Sequence, residues 1–400
     1  MELGDLPQEI LIDIFLLLPL KSIGKCRCLA KSYRQQLSTP NFIKSHLSRN
    51  THQENLLLVT PFDTIYSIIP TIKDDTIWKK LPGLDLCNWT EVVGSCDGLI
   101  LMVLEEFEKF LVNPITLQMV KVPKSPLALK RKKSFRMHGF GYDSSSDDYK
   151  VVTLSYYDTD NEHRSNDTFV DVYSVKRGVW KRVERSPYDH SVLQLSPWDY
   201  FNRELSQQAM FSKTLSPGAF VNGAIHWLAR SRKPGSPSVI AAFNLTEEVF
   251  DEIPVPGGVD VQMFVFNKLV VLGGCLCMTH TRENGSIDVW TMKEYGLKES
   301  WAKFNIHAAN DVWDIFKPLY LIRDEEVVLV TEVETLVVYN RREGTLRDMV
   351  VGEGRVVDDG CTFVGSLVSP AHIAPESKTR SLVEVESKTP SLVKVKTEKV

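Results

Sequence analysis

A small all-α module of three helices followed by an all-β, propeller-like domain of about six blades is the fold class this sequence predicts. Three observations predict it. The first 48 residues carry helix-start signals and helical apolar spacing. From residue 56 onward the texture changes to short apolar strands separated by turn residues. Among those strands one strand–turn–strand unit recurs.

Residues 5 to 19 read DLPQEILIDIFLLLP. Asp5 followed three residues later by Gln8 is a capping pattern, and Pro7 suits a first turn, so a helix is expected to start near residue 6 and to end at Pro19. Between Ile10 and Leu18 only Asp13 is polar, which makes the helix apolar around most of its circumference. One neighbouring helix cannot cover it. The leading MELGD is acidic where a signal peptide needs cations, and the apolar run is about half of the roughly 20 residues that a membrane span requires.

In LKSIGKCRCLAKSYRQQL the residues Ile23, Cys26, Ala30, Tyr33 and Leu37 recur at helical spacing, predicting a second helix. In TPNFIKSHL, Thr39 can cap and Pro40 fits the first turn, with Phe42, Ile43, His46 and Leu47 as the apolar face of a third. Three helices in about 45 residues seldom bury enough surface to fold well alone. Surplus apolar surface is therefore expected to face a partner.

The recurring β unit is an apolar strand, a turn, and a second strand ending at or near a proline. It is read in FLVNPITLQMVKVP from Phe110, VDVYSVKRGVWKRV from Val170, AAFNLTEEVFDEIP from Ala241, IDVWTMKEYGLKESWAKF from Ile287 and LVVYNRREGTLRDMV from Leu336. Aligning Asn113, Tyr173, Asn244, Trp290 and Tyr339 gives spacings of 60, 71, 46 and 49 residues, with a vaguer member, IKDDTIWKKLP, before the first. Such periods suit propeller blades with loops of uneven length, a β-sandwich being the alternative. Asn284-Gly285 marks a hairpin, and FVGSLVSP, ending at Pro370, is expected to close the ring beside NLLLVTP. The β domain is set at residues 52 to 370. The tail, 371 to 400, repeats ESKTRSLVEV as ESKTPSLVKV, lacks aromatics and is expected to be disordered.

A net charge of -4 and a pI near 6.2 provide no global field for nucleic acid or an anionic membrane, and neither is expected as a partner. Seven cysteines without a CxxC pair, Cys26/Cys28 and Cys275/Cys277 included, do not have zinc spacing and fit a reducing compartment, cytoplasm and/or nucleus. The Asn-x-Ser/Thr sites at Asn88, Asn166, Asn244 and Asn284 are read as coincidence.

LPQEILIDIFLLLPLKSIGKCRCLAKSYRQQLSTPNFIKSHL resembles an F-box, through its Leu-Pro, leucine-rich helix, second Leu-Pro, Lys-Ser, Arg-Cys and Lys-Ser-aromatic order. The first 48 residues are assigned to that module. VGSCDGLILM, FGYDSSSDDYKVV, VNGAIHWLA and AFNLTEEVFDEIPVP resemble segments of plant F-box-associated domains. The resemblance implies a non-catalytic substrate receptor of a Skp-cullin-F-box ubiquitin ligase. It would dock on a Skp-type adaptor, reach a cullin scaffold through it, and capture an unnamed target protein. Carried over by position, the adaptor-binding residues are Leu6, Pro7, Ile10, Leu11, Ile14, Leu18, Pro19, Ser22, Ile23, Cys26, Cys28, Lys31 and Tyr33. The sequence departs from the family pattern with Leu17 in place of Arg, Ala30 in place of Cys and Tyr33 in place of Trp. The competing reading is a binding protein that acts without ubiquitination or with a weakened F-box.

No motif argues for catalysis, and no cofactor or metal is expected. Gly94-Ser95-Cys96-Asp97-Gly98 has the outline of a nucleophile elbow, but LILMV follows where an elbow needs a helix. His226, alternating with apolar neighbours, reads as a satisfied strand histidine. KRKKSFR, residues 130 to 136, reads as a solvated basic loop. Tyr188, Trp198, Tyr200 and Phe201, in the longest stretch without repeat character, are the candidate target contacts.

Overall fold

The computed structural model describes residues 7–49, 54–60, 64–68, 78–81, 89–104, 108–129, 134–157, 167–190, 217–232, 238–257, 267–282, 286–307, 317–322, 325–331, 335–349, 357, 359–374 and 379–381. Four helices open it, where the periodicity predicts three: α1 Gln8–Leu16, α2 Leu20–Leu29, α3 Lys31–Gln36 and α4 Pro40–Arg49. The second expected helix breaks at Ala30, which is extended at φ -150° and ψ 151°. That turn sets Tyr33 edge-on to Phe15, with ring centroids 5.4 Å apart, and leaves Leu37 fully buried.

Helix α1 starts at Gln8 behind Pro7, without a side-chain cap; Asp5 lies outside the described residues. It ends at Leu16, before Pro19, because a residue preceding proline disfavours the helical region. Pro19 instead opens α2. At α4 the Phe42 amide donates to Thr39 Oγ1 at 3.3 Å, the cap expected from Thr39.

The remaining chain forms six sheets arranged as propeller blades. The first comprises β1 Glu54–Val59, β2 Ile65–Ile68 and β3 Trp78–Lys80; the second β4 Trp89–Cys96, β5 Leu99–Leu104, β6 Glu108–Asn113 and β7 Gln118–Val122. The third is β8 Ser134–Asp143, β9 Asp148–Tyr157, β10 Phe169–Ser174 and β11 Val179–Arg182. The fourth has β12 Tyr188–Asp189 and β13 Ala219–Val221, both paired to β14 Ala224–Ser231, then β15 Ser238–Asn244 and β16 Phe250–Ile253. The fifth is β17 Asn267–Leu272, β18 Cys275–Thr281, β19 Ile287–Met292 and β20 Trp301–Ile306; the sixth is β21 Lys317–Ile322, β22 Glu326–Val330, β23 Leu336–Asn340 and β24 Thr345–Met349.

Strand β25, Asp359–Val364, closes the ring. It pairs antiparallel with β1, from Glu54↔Val364 to Val59↔Asp359, and becomes the inner strand of the first blade. The closing strand predicted at FVGSLVSP is therefore found, but it begins earlier and stops at Val364. Inner strands contact one another in the order β25, β4, β8, β13, β17, β21 and back to β25. Apolar clusters fill the spaces between blades, such as Val152, Leu154, Ile225, Trp227 and Phe243 between the third and fourth.

All five aligned repeat residues lie on the third strand of their blades, so the recurring unit is the third strand, its turn and the fourth. Two alignments shift by one residue. Asn113 and Asn244 each accept two backbone amides through Oδ1, as does Asn340, one residue after Tyr339. Ser174, one after Tyr173, accepts the Arg177 amide at 3.1 Å. In these four blades a short polar side chain that closes an Asx-type turn marks the repeat, and the aromatic beside it does not.

The tail departs from expectation near its start. Pro370–Ile373 forms a short helix, α5, and β26 Thr379–Ser381 pairs with the outer strand β7. An outer blade strand has unpaired amides and carbonyls, which a passing backbone can satisfy whatever its side chains. Residues 382–400, with the second copy of the duplication, lie outside the described residues.

Candidate functional site

Helix α1 divides its apolar residues between two faces. Leu11, Phe15 and Leu16 are buried with Ile23, Leu37 and Phe42 in the module's own core. Ile10, Ile14 and Leu17, at helical spacing along the other side, are 47, 40 and 76 % exposed, and Leu29 at the end of α2 is 74 % exposed. Large aliphatic side chains held in water on a well-packed module form a surface that a partner would cover.

Of the docking positions expected from the F-box resemblance, Pro7, Ile10, Ile14, Pro19, Cys28 and Lys31 are exposed. Leu18, Ser22, Cys26 and Tyr33 are half-buried, while Leu6 lies outside the described residues. Leu11 and Ile23 face inward, because periodicity marks an apolar face without saying which neighbour covers it. Leu17 and Leu29, also exposed, lie outside that set. Leu17 entered the sequence reading only as a departure from a pattern, yet it is the most exposed large aliphatic side chain among the described residues.

Among the described residues, the module meets the propeller through side chains of its core, of α4 and of the chain after β25. Leu367, from the chain just after β25, completes the helical core. Leu47 of α4 packs with Val93, Cys96, Leu99 and Val368. Lys44 pairs with Asp147, which also accepts from the Tyr142 hydroxyl at 2.5 Å; the Lys44 hydrogen bond holds the Asp147 carboxyl below its usual range. Asn113 locks the joint from inside. Fully buried, its Nδ2 donates to the carbonyls of Ser366 at 3.2 Å and Val368 at 2.7 Å.

This joint gives the propeller two unlike ends. First-to-second and third-to-fourth strand turns lie at the module's end, and several are tight: Asp97-Gly98, Asn222-Gly223 and Gly273-Gly274 all have positive φ. Those residue pairs suit a two-residue hairpin turn. In antiparallel blades the remaining connections leave from the opposite end, and several span more residues, such as 254–266 between β16 and β17. A channel of about 290 Å³ runs along the axis, lined by Gly94, Phe140, Ala219, Val270, Pro318 and Gly360, one from each inner strand.

Gly94–Cys96 ends β4 and Asp97-Gly98 turns directly into strand β5 instead of a helix, so the segment does not have the form of a nucleophile elbow. Cys96 is buried, and burial raises its thiol far above the ordinary range. His226 Nδ1 donates to the Ala219 carbonyl at 2.9 Å and Nε2 accepts from the Tyr295 hydroxyl at 2.7 Å; burial pushes the imidazole down to about 4. It is a neutral, satisfied strand histidine. Tyr188 is half-buried and T-shaped against Phe250, which makes it part of the blade packing; Trp198, Tyr200 and Phe201 lie outside the described residues. Among the described residues no cluster of three or more His, Cys, Asp or Glu could hold a metal ion. No described helix is long and apolar enough to cross a membrane.

Comparison with known proteins places both parts of this architecture. Residues 3–45 match the F-box domain, and residues 56–370 match the F-box associated beta propeller domain. Among Arabidopsis thaliana relatives, F-box protein CPR1 is 31 % identical over 371 residues, covering 86 % of this chain and 85 % of its own. An F-box/kelch-repeat protein is 26 % identical, covering 92 % of this chain and 96 % of its own. Among solved structures, YCF48 bound to D1 peptide covers 74 % of this chain and 78 % of its own at 10 % identity and a TM-score of 0.35.

Proposed function

The chain belongs to the F-box proteins that carry an F-box associated beta propeller domain, and from that premise we propose that it recruits a target protein to a Skp-cullin-F-box ligase for ubiquitination and degradation. The pairing of an F-box with a propeller supports the substrate-receptor role. The observation that carries the proposal is the outward stripe of Ile10, Ile14 and Leu17, an apolar surface on the F-box that the described residues leave exposed. In this reading the stripe docks on the adaptor, and the adaptor links the receptor to the cullin. The loop-rich propeller end, facing away from the F-box, captures the target. No reacting group comes from this chain. Its contribution is proximity, which makes transfer from a ubiquitin-charged enzyme effectively local. It acts in the cytoplasm and/or nucleus.

The test is co-purification of the full chain with a Skp-type adaptor, beside an Ile14→Arg, Leu17→Arg variant. Both positions are exposed, so the variant keeps its fold. Burying the two side chains contributes about 1.5–3 kcal/mol each, so their loss weakens the complex by about 100-fold or more. Equal adaptor recovery with parent and variant would remove the stripe from the interface. Reconstituted ubiquitin transfer in the presence of cullin then separates a ligase receptor from a receptor that binds without ubiquitination.

A further inference from the structure

A second cavity lies between the second and third blades, at the propeller end away from the F-box. It measures about 170 Å³ and is lined by Lys109, Lys124, Ser125, Ala128, Arg136, Thr153, Ser155 and Asp171. Three of these eight side chains are cationic and three carry hydroxyls. Each comes from the end of its strand that points away from the helical module: the start of β6, the chain after β7, the start of β8, the later half of β9 and the start of β10.

Two buried groups in the lining make no hydrogen bond among the described residues. Ser155 is 1 % exposed, and its Oγ makes no hydrogen bond. Lys109 is 6 % exposed, and its ammonium makes no hydrogen bond or ion pair among the described residues; the Trp180 ring stands 5.8 Å from it. Burial first, and Arg136 next, push that ammonium down to about 8 against the opposing pull of Glu91 and Asp171, neither of which hydrogen-bonds to it. The one carboxylate in the lining does not fill that need. Asp171 is held by Arg182, with Nε at 2.7 Å and Nη2 at 3.1 Å. Glu108 engages Lys124 at 3.4 Å, away from Lys109.

A buried cation and a buried hydroxyl facing the same polar cavity each carry a desolvation cost until something accepts from them. A tetrahedral oxyanion would accept from both at once, with Arg136 as a further donor; the hydroxyls of Ser125 and Thr153 already engage Asp171 at 3.5 Å and His138 Nδ1 at 3.2 Å. We propose that this inter-blade cavity is a binding site for a phosphate-class oxyanion, either free phosphate or the phosphate of a phosphorylated side chain. Arg136 is the last residue of the basic cluster KRKKSFR, and here it turns inward; its Nη2 also donates to the Leu129 carbonyl. The site itself stands on its lining. Its use in holding a phosphorylated target rests on the receptor reading above.

The experiment is calorimetric and thermal-shift titration of the full chain with inorganic phosphate and, separately, with N-acetyl-phosphoserine amide, each against chloride at matched ionic strength. Saturable binding with a rise in melting temperature is expected for the parent. Lys109→Met, which keeps the bulk and removes the charge, should weaken it at least tenfold. Ser155→Ala removes only an unsatisfied hydroxyl, so it should fold as the parent does while binding about three- to tenfold more weakly. Binding of phosphate alone marks a free-anion site; binding of both probes shows room for a phosphorylated residue. No response beyond chloride in the parent, or undiminished binding by Ser155→Ala and Lys109→Met, would overturn the site. Adaptor co-purification does not depend on this cavity, so failure of the site leaves the receptor reading untouched.

Discussion

Glu91 shows how little a single residue's type says about its state. A glutamate on a strand reads as a surface charge, yet Glu91 is 6 % exposed, with Oε1 lacking a hydrogen bond. Burial first, and then Asp359, push its carboxyl up to about 8 against the opposing pull of Lys109 and Lys317. The folded state therefore holds the proton more tightly than the unfolded chain, whose carboxyl titrates near 4.5. Stability from this group is greatest below about 4.5, falls as pH rises towards about 8, and then levels off. Glu91→Gln should remove that decline and stabilise the protein at pH 8 by a few kcal/mol, since each tenfold gain in proton affinity on folding corresponds to about 1.4 kcal/mol. Urea unfolding at pH 5 and pH 8 measures it. Equal pH slopes for parent and variant would mean that Glu91 is ionised and paired. Asn113 carries the same lesson at the joint: its type marks a turn, and only the fold brings Ser366 and Val368 to its amide.

At the level of elements, the tight turns separate two demands that the sequence writes identically. Gly98 and Gly223 both follow Asp or Asn in a two-residue hairpin, with φ of +80° and +75°. A Cβ on Gly223 would meet open space, whereas one on Gly98 would collide with Ser366 and the Val364 carbonyl, where β25 passes into the F-box joint. Gly223→Ala should thus cost only the left-handed backbone penalty, about 1–2 kcal/mol. Gly98→Ala should cost more, by at least about 1–3 kcal/mol of overpacking, and should loosen the joint. Denaturation midpoints of the two variants decide the matter, and equal losses would show that the joint yields freely. The turn chemistry was legible because Asp-Gly, Asn-Gly and Gly-Gly carry their conformational reason with them. The joint was not, since Ser366 lies more than 260 residues from Gly98 in sequence.

For the whole molecule, ring closure and module docking depend on one short segment, 359–374, which supplies the inner strand of the first blade, Leu367 in the helical core and the acceptors for Asn113. Truncation after residue 374 should leave the thermal transition within a few degrees of the parent, because β26 adds only an outer strand. Truncation after 358 should abolish the cooperative transition and expose α1 to proteolysis; a retained transition would show that β1 to β24 hold the ring alone. The sequence by itself determined a helical module with surplus apolar surface, a strand repeat of about six blades and a closing segment near residue 363, because periodicity, turn chemistry and repeat spacing are local properties. Only the tertiary structure decided which apolar face of α1 turns inward, which end of the propeller the module covers, and which buried cation and hydroxyl share a cavity between blades. Those depend on contacts between residues far apart in the chain, and no local pattern specifies them.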